Sequence, residues 1–207
     1  MELSLEDVNK LQQIPVAGLL PAIAHRWSPR AFSSAAVSPA DLKTVLEAAR
    51  WAASSSNEQP WRFLVGVRGS ETHAKILATL VPFNQEWASN AGVLILGLSR
   101  TLTEHSARTN HYALYDLGQA AAQLAVQASA LGLATHQMGG FDRDAARATF
   151  SLPEDIALGS VIALGYQAEP AQLTNEQLHQ REVTQRTRKP LEAIAFSALG
   201  VPFDFGA

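Results

Sequence analysis

Apolar positions recur along this chain at two spacings, and the switch between them marks its elements. Leu42, Val45, Leu46 and Ala49 repeat every three to four residues, one face of a helix. Ser38-Pro39-Ala40-Asp41 stands just before them. Ser38 suits the N-cap, Pro39 the first helical position and Asp41 the positive end of the dipole, so a helix is predicted from here to about Ala52. A longer one is predicted over Asn110–Leu131, with Leu114, Leu117, Ala121, Leu124, Ala125 and Ala128 on its apolar side and Gly132 as its stop. Leu5–Leu20 reads as an amphipathic helix broken at Pro21, and Ala22–His25 as a further helical turn. Ser70 caps a helix to about Leu80, and Asp142 a short one to Phe150.

Four short apolar runs bounded by turn residues read as buried strands: Arg62–Val67, Gly92–Leu98, Ala134–Met138 and Ser160–Tyr166. Helices interleaved with four strands predict an α+β or α/β fold with helices covering one sheet. From Gln167 to Arg188 the chain is polar without a strong period, and Pro190–Phe196 is apolar again. This suggests a domain over 1–166 and an arm over 167–207 that docks on another surface, such as a partner subunit.

Composition narrows the function classes. The chain has 207 residues, 47% hydrophobic and 17% charged, enough for a core without staples. Its net charge of −3 gives no basic surface for nucleic acid. It has no cysteine, which excludes disulfides, thiolate catalysis and thiolate-held metals. Met1–Gln13 is polar and acidic, unlike a signal peptide, and no apolar stretch approaches the ~20 residues that span a bilayer. A cytoplasmic setting is the expectation.

Familiar catalytic signatures are absent: no G-x-G-x-x-G after a strand, no G-x-x-x-x-G-K-[ST], no G-x-S-x-G, and no pair among the six histidines spaced to bind zinc on a helix. What remains is a set of anion- and amide-binding residues. Arg26, Ser28 and Arg30 alternate, so in extended backbone they share a side and can converge on one phosphate or carboxylate. Arg186 and Arg188 repeat the spacing. Surface arginines are common, and at this point both pairs also read as ordinary solvated charge. The loop Ser54-Ser55-Ser56-Asn57-Glu58-Gln59-Pro60-Trp61 offers two carboxamides suited to the edge of a flat heteroaromatic, or forms a plain polar turn ending in a core tryptophan.

Taken in order, Arg26-x-Ser28-x-Arg30, Ala52 to Trp61, Asn84, Met138-Gly139-Gly140-Phe141, Ala163-Leu164-Gly165-Tyr166 and Arg186-x-Arg188-x-Pro190-Leu191-Glu192 resemble the nitroreductase family. The likeness runs from about Arg26 to Glu192. It implies an α+β sandwich, a mostly antiparallel central sheet flanked by helices, and a homodimer whose C-terminal arms are exchanged. It implies FMN at the dimer interface and NAD(P)H as electron donor. By the same resemblance, Arg26, Trp27 (through its backbone), Ser28, Arg186 and Arg188 hold the phosphate, and Arg30 lies nearer the pyrimidine edge. Asn84 bonds the ring from the same chain, Ser54, Ser55 and Asn57 reach it from the partner, and Met138, Gly139 and Gly140 lie beside it.

Two departures stand out. Ala53 takes a place where many relatives have proline. Trp87 takes a place where some have lysine, leaving Arg30 as the main positive charge near the ring and Trp87 to pack against ring, substrate or interface. The resemblance implies a ping-pong oxidoreductase that delivers electrons to a small electron-poor acceptor, a nitroaromatic or quinone, with no acid–base side chain required. His111 and Tyr112 are candidates for the mouth of the site, and the short Ser99–Thr109 connection implies an open pocket. A flavin-binding sensor without activity, a dehalogenase or dehydrogenase on the same cofactor, and a helical dimer without cofactor are the alternatives.

Overall fold

In strand β2 (Val93–Arg100) every residue through Ser99 is buried. A strand facing water on one side would alternate; this one is covered on both faces. The structure, a computed structural model, describes residues 3–14 and 16–206. Strands β1 (Trp61–Val67), β2, β3 (Ala134–Met138) and β4 (Ile156–Gly165) form one sheet in the order β1-β2-β4-β3 with every pairing antiparallel.

Alternate side chains feed two cores. Val93 and Ile95 of β2, with Ile162 and Leu164 of β4, face helices α3 (Pro39–Arg50) and α6 (Ala113–Ala130) through Val45, Ala49, Leu117 and Leu124. Leu94, Leu96 and Leu98 face the other way, toward α4 (Glu71–Thr79), α5 (Pro82–Ala88), α7 (Arg143–Thr149) and α8 (Glu176–Val183), against Ile76, Trp87, Ala146 and Leu178. Each such aliphatic side chain contributes roughly 1.5–3 kcal/mol by leaving water. The predicted α+β fold with an antiparallel sheet is what the chain adopts.

The helix starts follow the sequence closely. Ser38 accepts the N–H of Asp41 at 3.0 Å and donates its hydroxyl to the Asp41 carboxylate at 2.7 Å. Ser70 and Asp142 cap α4 and α7 by accepting the N–H groups of His73 and Ala145. A cap of this kind is worth about 1 kcal/mol.

Three expectations are corrected. Helix α1 (Leu5–Gln12) stops well short of Leu20: Gln13 is extended, and Ile14 precedes a proline, which disfavours helical backbone. Pro21 starts α2 (Pro21–His25) at its first position. Strand β4 begins at Ile156, four residues before the predicted start.

Beyond residue 166 the chain first stays packed on the body. Within the polar stretch, Asn175 caps α8 by accepting the N–H groups of Gln177 and Leu178 at 3.0 and 3.4 Å. Leu173 and Leu178 sit in the core, and Gln167 bridges to Phe32. Only from about residue 187 does the chain run out over exposed positions, ending in a small hairpin of β5 (Phe196–Ala198) and β6 (Val201–Pro202). That hairpin shows apolar surface to solvent, with Leu199 98% and Phe205 61% exposed. Among the described residues no helix is long and apolar enough to cross a membrane.

Candidate functional site

The segment from Arg26 to Ala31 leaves α2 with Arg26 extended and lies against β3 at His136. Its backbone is held at several points. Glu182 of α8, 1% exposed, accepts the N–H of Arg30 at 2.7 Å and of Ala31 at 3.2 Å. His136 of β3 donates Nδ1–H to the Pro29 carbonyl at 2.9 Å. Trp27 is buried and donates its indole N–H to Asn9 of α1 at 3.1 Å. Arg186 donates one terminal nitrogen to the Arg26 carbonyl and the other to that of Ala24 at 2.6 Å. Gln12 ties the far strand of the cleft, accepting the Arg186 N–H at 3.1 Å and donating to the Thr184 carbonyl at 2.8 Å.

Between these elements opens a cleft of about 880 Å³. Arg26, Arg30, Arg181, Arg186 and Arg188 line it against a single glutamate, Glu176. The three ion pairs among the described residues all lie elsewhere, on α1, α3 and α4. Burial, then the charge of Arg188, pushes the Arg26 guanidinium below its ordinary pKa. Arg186 is pushed the same way by burial, then by Arg26 and Arg188. Its Nε–H is buried and has no acceptor. Like charges held together, with a buried donor left unmade, are costly until an anion enters.

A second cluster lies at the end of β3. Residues 79–81 run beside 140–142, with Asp142 N–H donating to the Thr79 carbonyl at 2.8 Å. This brings α5 to Gly140, whose carbonyl accepts from Asn84 Nδ2 at 3.0 Å and from the Val81 N–H at 3.1 Å. A Cβ at position 140 would sit 2.8 Å from Asn84 Nδ2, whereas one at Gly139 would meet nothing within 4 Å. A side chain at 140 would therefore push the Asn84 carboxamide from its place, while Gly139 is exposed and open on one side. The clusters meet where Arg181 of the cleft wall lies over the Phe83 ring, 4.9 Å from its centre.

The structure thus gathers Arg26, Trp27, Ser28, Arg30, Arg186 and Arg188 in one cleft, and Asn84, Met138, Gly139 and Gly140 beside it. Ser54, Ser55 and Asn57 lie away from both, in a turn packed on α6: the Ser55 N–H donates to Asp116 at 3.1 Å, and Asn57 is exposed with a φ of 56°. His111 and Tyr112 stand exposed at the start of α6, outside the cleft. Trp87 is 1% exposed, packed against Phe32 and His136 in the core, away from the surface.

Sequence reasoning missed Glu182, His136, Gln12 and Arg181. Glu182 gave no signal, being one of three glutamates in the polar stretch, and its burial shows only in the fold. Burial raises its pKa, opposed by the two backbone N–H groups it holds. Burial, then the Arg30 charge, lowers the His136 pKa to about 4, so the ring is neutral at pH 7.

A pH dependence follows. His136 binds its proton more readily unfolded than folded, so between pH 6.5 and about 4 the unfolded state gains protons and stability falls as pH falls. At about 1.4 kcal/mol per pH unit, the effect is on the order of 3 kcal/mol. Glu182 works in the opposite sense: its raised pKa adds stability at low pH, lost as pH rises through the folded value. Thermal melts across this range should therefore fall less steeply with acid in His136→Gln than in the parent. Parallel curves would remove His136 as the cause.

The sequence profile of the Nitroreductase family matches residues 23–82 and 71–166. A crystal structure described as an oxidoreductase containing FMN is 34% identical, with a TM-score of 0.83, covering 89% of this chain and 94% of that one. A nitroreductase family protein of Clostridium difficile is 25% identical with a TM-score of 0.64, covering 83% of this chain and 93% of that one. Among curated proteins, one of Archaeoglobus fulgidus, provisionally named NADH dehydrogenase/NAD(P)H nitroreductase, is 29% identical over 71% of this chain and 84% of its own length.

Proposed function

This chain belongs to the nitroreductase family, and on that basis we propose that it is an FMN-dependent oxidoreductase. It takes hydride from NAD(P)H and, in ping-pong order, passes electrons to a small electron-poor acceptor such as a nitroaromatic or quinone. The observation that carries the reading is the trio of guanidiniums from Arg26, Arg186 and Arg188, without a carboxylate partner among the described residues and with the Arg186 Nε–H buried and unmet. A phosphomonoester of charge about −1.5 to −2 answers both conditions. Arg26, the Trp27 backbone, Ser28, Arg186 and Arg188 would hold it. Arg30 would stand at the pyrimidine edge, with Asn84, Met138, Gly139 and Gly140 beside the ring.

The redox chemistry, hydride acceptance followed by electron delivery, is what a bound flavin supplies. The chain's own residues bind and orient. Glu182 fixes the backbone of Arg30 and so the origin of its positive charge. His136, neutral, holds the Pro29 carbonyl without adding a cation. Asn84 and Gly140 lock α5 to the end of β3. No general acid or base is assigned.

A second copy completes the site. Ser54, Ser55 and Asn57 would reach the ring from the partner, and the exposed apolar hairpin around Leu199 would dock there. Apolar surface of this extent in water calls for a partner. Light scattering should give twice the chain mass.

The functional test is anaerobic. Addition of NADH or NADPH to the FMN-loaded protein should bleach the visible flavin band, and a quinone or nitroaromatic should restore it. A bound flavin that neither nucleotide reduces would refute the oxidoreductase reading.

A further inference from the structure

The five cleft arginines fall into two groups. Arg186 is tied to the Arg26 carbonyl and shares its surroundings with Arg26 and Arg188, while Arg181 neighbours Glu182 on α8, which holds the Arg30 N–H. One phosphate satisfies the first group. Arg30 has Glu182 nearby, but that carboxylate is spent on two backbone N–H groups and forms no ion pair. Arg181 has no carboxylate within ion-pair reach among the described residues. It is not a freely waving surface residue either, because its guanidinium is laid on the Phe83 ring, next to Asn84. A guanidinium held over an aromatic ring is partly pre-organised to meet an anion. Gln177, one helical turn earlier on α8, also lines the cleft and adds a carboxamide on the same side. The cleft volume of about 880 Å³ is at the upper end of ligand sites, roughly 300–1,000 Å³.

We infer that Arg181, backed by Gln177, is a second anion-binding point that selects a carboxylate or phosphate on the molecule exchanging electrons at this site. The inference rests on the FMN reading above. The shared chemistry is an oxyanion meeting a guanidinium edge. Its source is either the acceptor, through a carboxylate, or the donor, through the 2′-phosphate that separates NADPH from NADH.

The test uses binding to the oxidised, FMN-loaded protein, read from the shift of the flavin spectrum. Two pairs are titrated: benzoate against benzamide, and NADP+ against NAD+. The anionic member of at least one pair should bind about tenfold more tightly. An advantage confined to the benzoate pair assigns the site to acceptors, and one confined to NADP+ assigns it to the donor. Arg181→Gln should erase the advantage while melting temperature and FMN affinity stay unchanged, and Arg181→Lys should restore part of it. No advantage in either pair, or one that survives Arg181→Gln, overturns the inference while leaving the FMN reading intact. Failure of the parent protein to bind FMN defeats that reading, and the inference with it.

Discussion

Arg186→Met should leave the protein folded but strip it of FMN, weakening the affinity by on the order of 100-fold. Charge-assisted hydrogen bonds contribute about 1.5–3 kcal/mol each, and every 1.4 kcal/mol is tenfold. Arg186 acts twice. Its terminal nitrogens hold the Ala24 and Arg26 carbonyls, fixing the segment that carries Arg26 and Ser28. Its Nε–H is left for the anion. Arg186→Lys keeps the charge but cannot hold two carbonyls and a phosphate together, so it should recover only part of the affinity. Flavin retained after dialysis, measured by absorbance, checks this. Full retention in Arg186→Met would move the phosphate site elsewhere.

Gly66→Ala should be the most damaging small substitution in the sheet. The added Cβ would lie 2.4 Å from the backbone N of His73 and 2.5 Å from its Cα. These are backbone atoms of α4 and cannot rotate aside, so the helix must lift from β1. Overpacking costs typically 1–3 kcal/mol and sometimes more; with rigid backbone on the other side the upper end applies, a fall of roughly 6–12 °C in melting temperature. Gly139→Ala, with nothing within 4 Å, should melt close to the parent without flavin. Equal melting of the two variants would show that α4 is not seated on β1 in this way.

Legibility in the sequence followed how local each cause was. Ser38, Ser70 and Asp142 announce their helices because a cap is a contact over three residues. The strands were visible as short apolar runs because both faces of the sheet are covered. Helix α5 was hidden because seven residues are too few for a period and its Pro82 reads as a break until its place at the first position is seen. Helix α8 was hidden because it buries only Leu178 and Glu182, so the apolar repeat that betrays a helix is absent.

The site shows the same division. The alternation of Arg26, Ser28 and Arg30, and of Arg186 and Arg188, was readable, but nothing local joins residues 160 apart in the chain. The resemblance placed them together, and the cleft does too. Glu182 and His136 escaped notice because their partners are main-chain groups of the Arg30 segment, more than 100 residues away, and backbone acceptors and donors leave no mark in a sequence. Asn84 and Gly140 were both named, but the bond from the Asn84 carboxamide to the Gly140 carbonyl appears only in the fold.

The most direct test of the central claim, that the arginine cleft is the phosphate end of a flavin site, compares FMN with riboflavin on the unmodified protein by fluorescence titration. The two ligands share the ring and differ in the phosphate. The account predicts FMN binding tighter by at least about 100-fold, with the gap narrowing as salt rises. Equal affinities would contradict it, since Arg26, Arg186 and Arg188 would then contribute nothing to holding the phosphate.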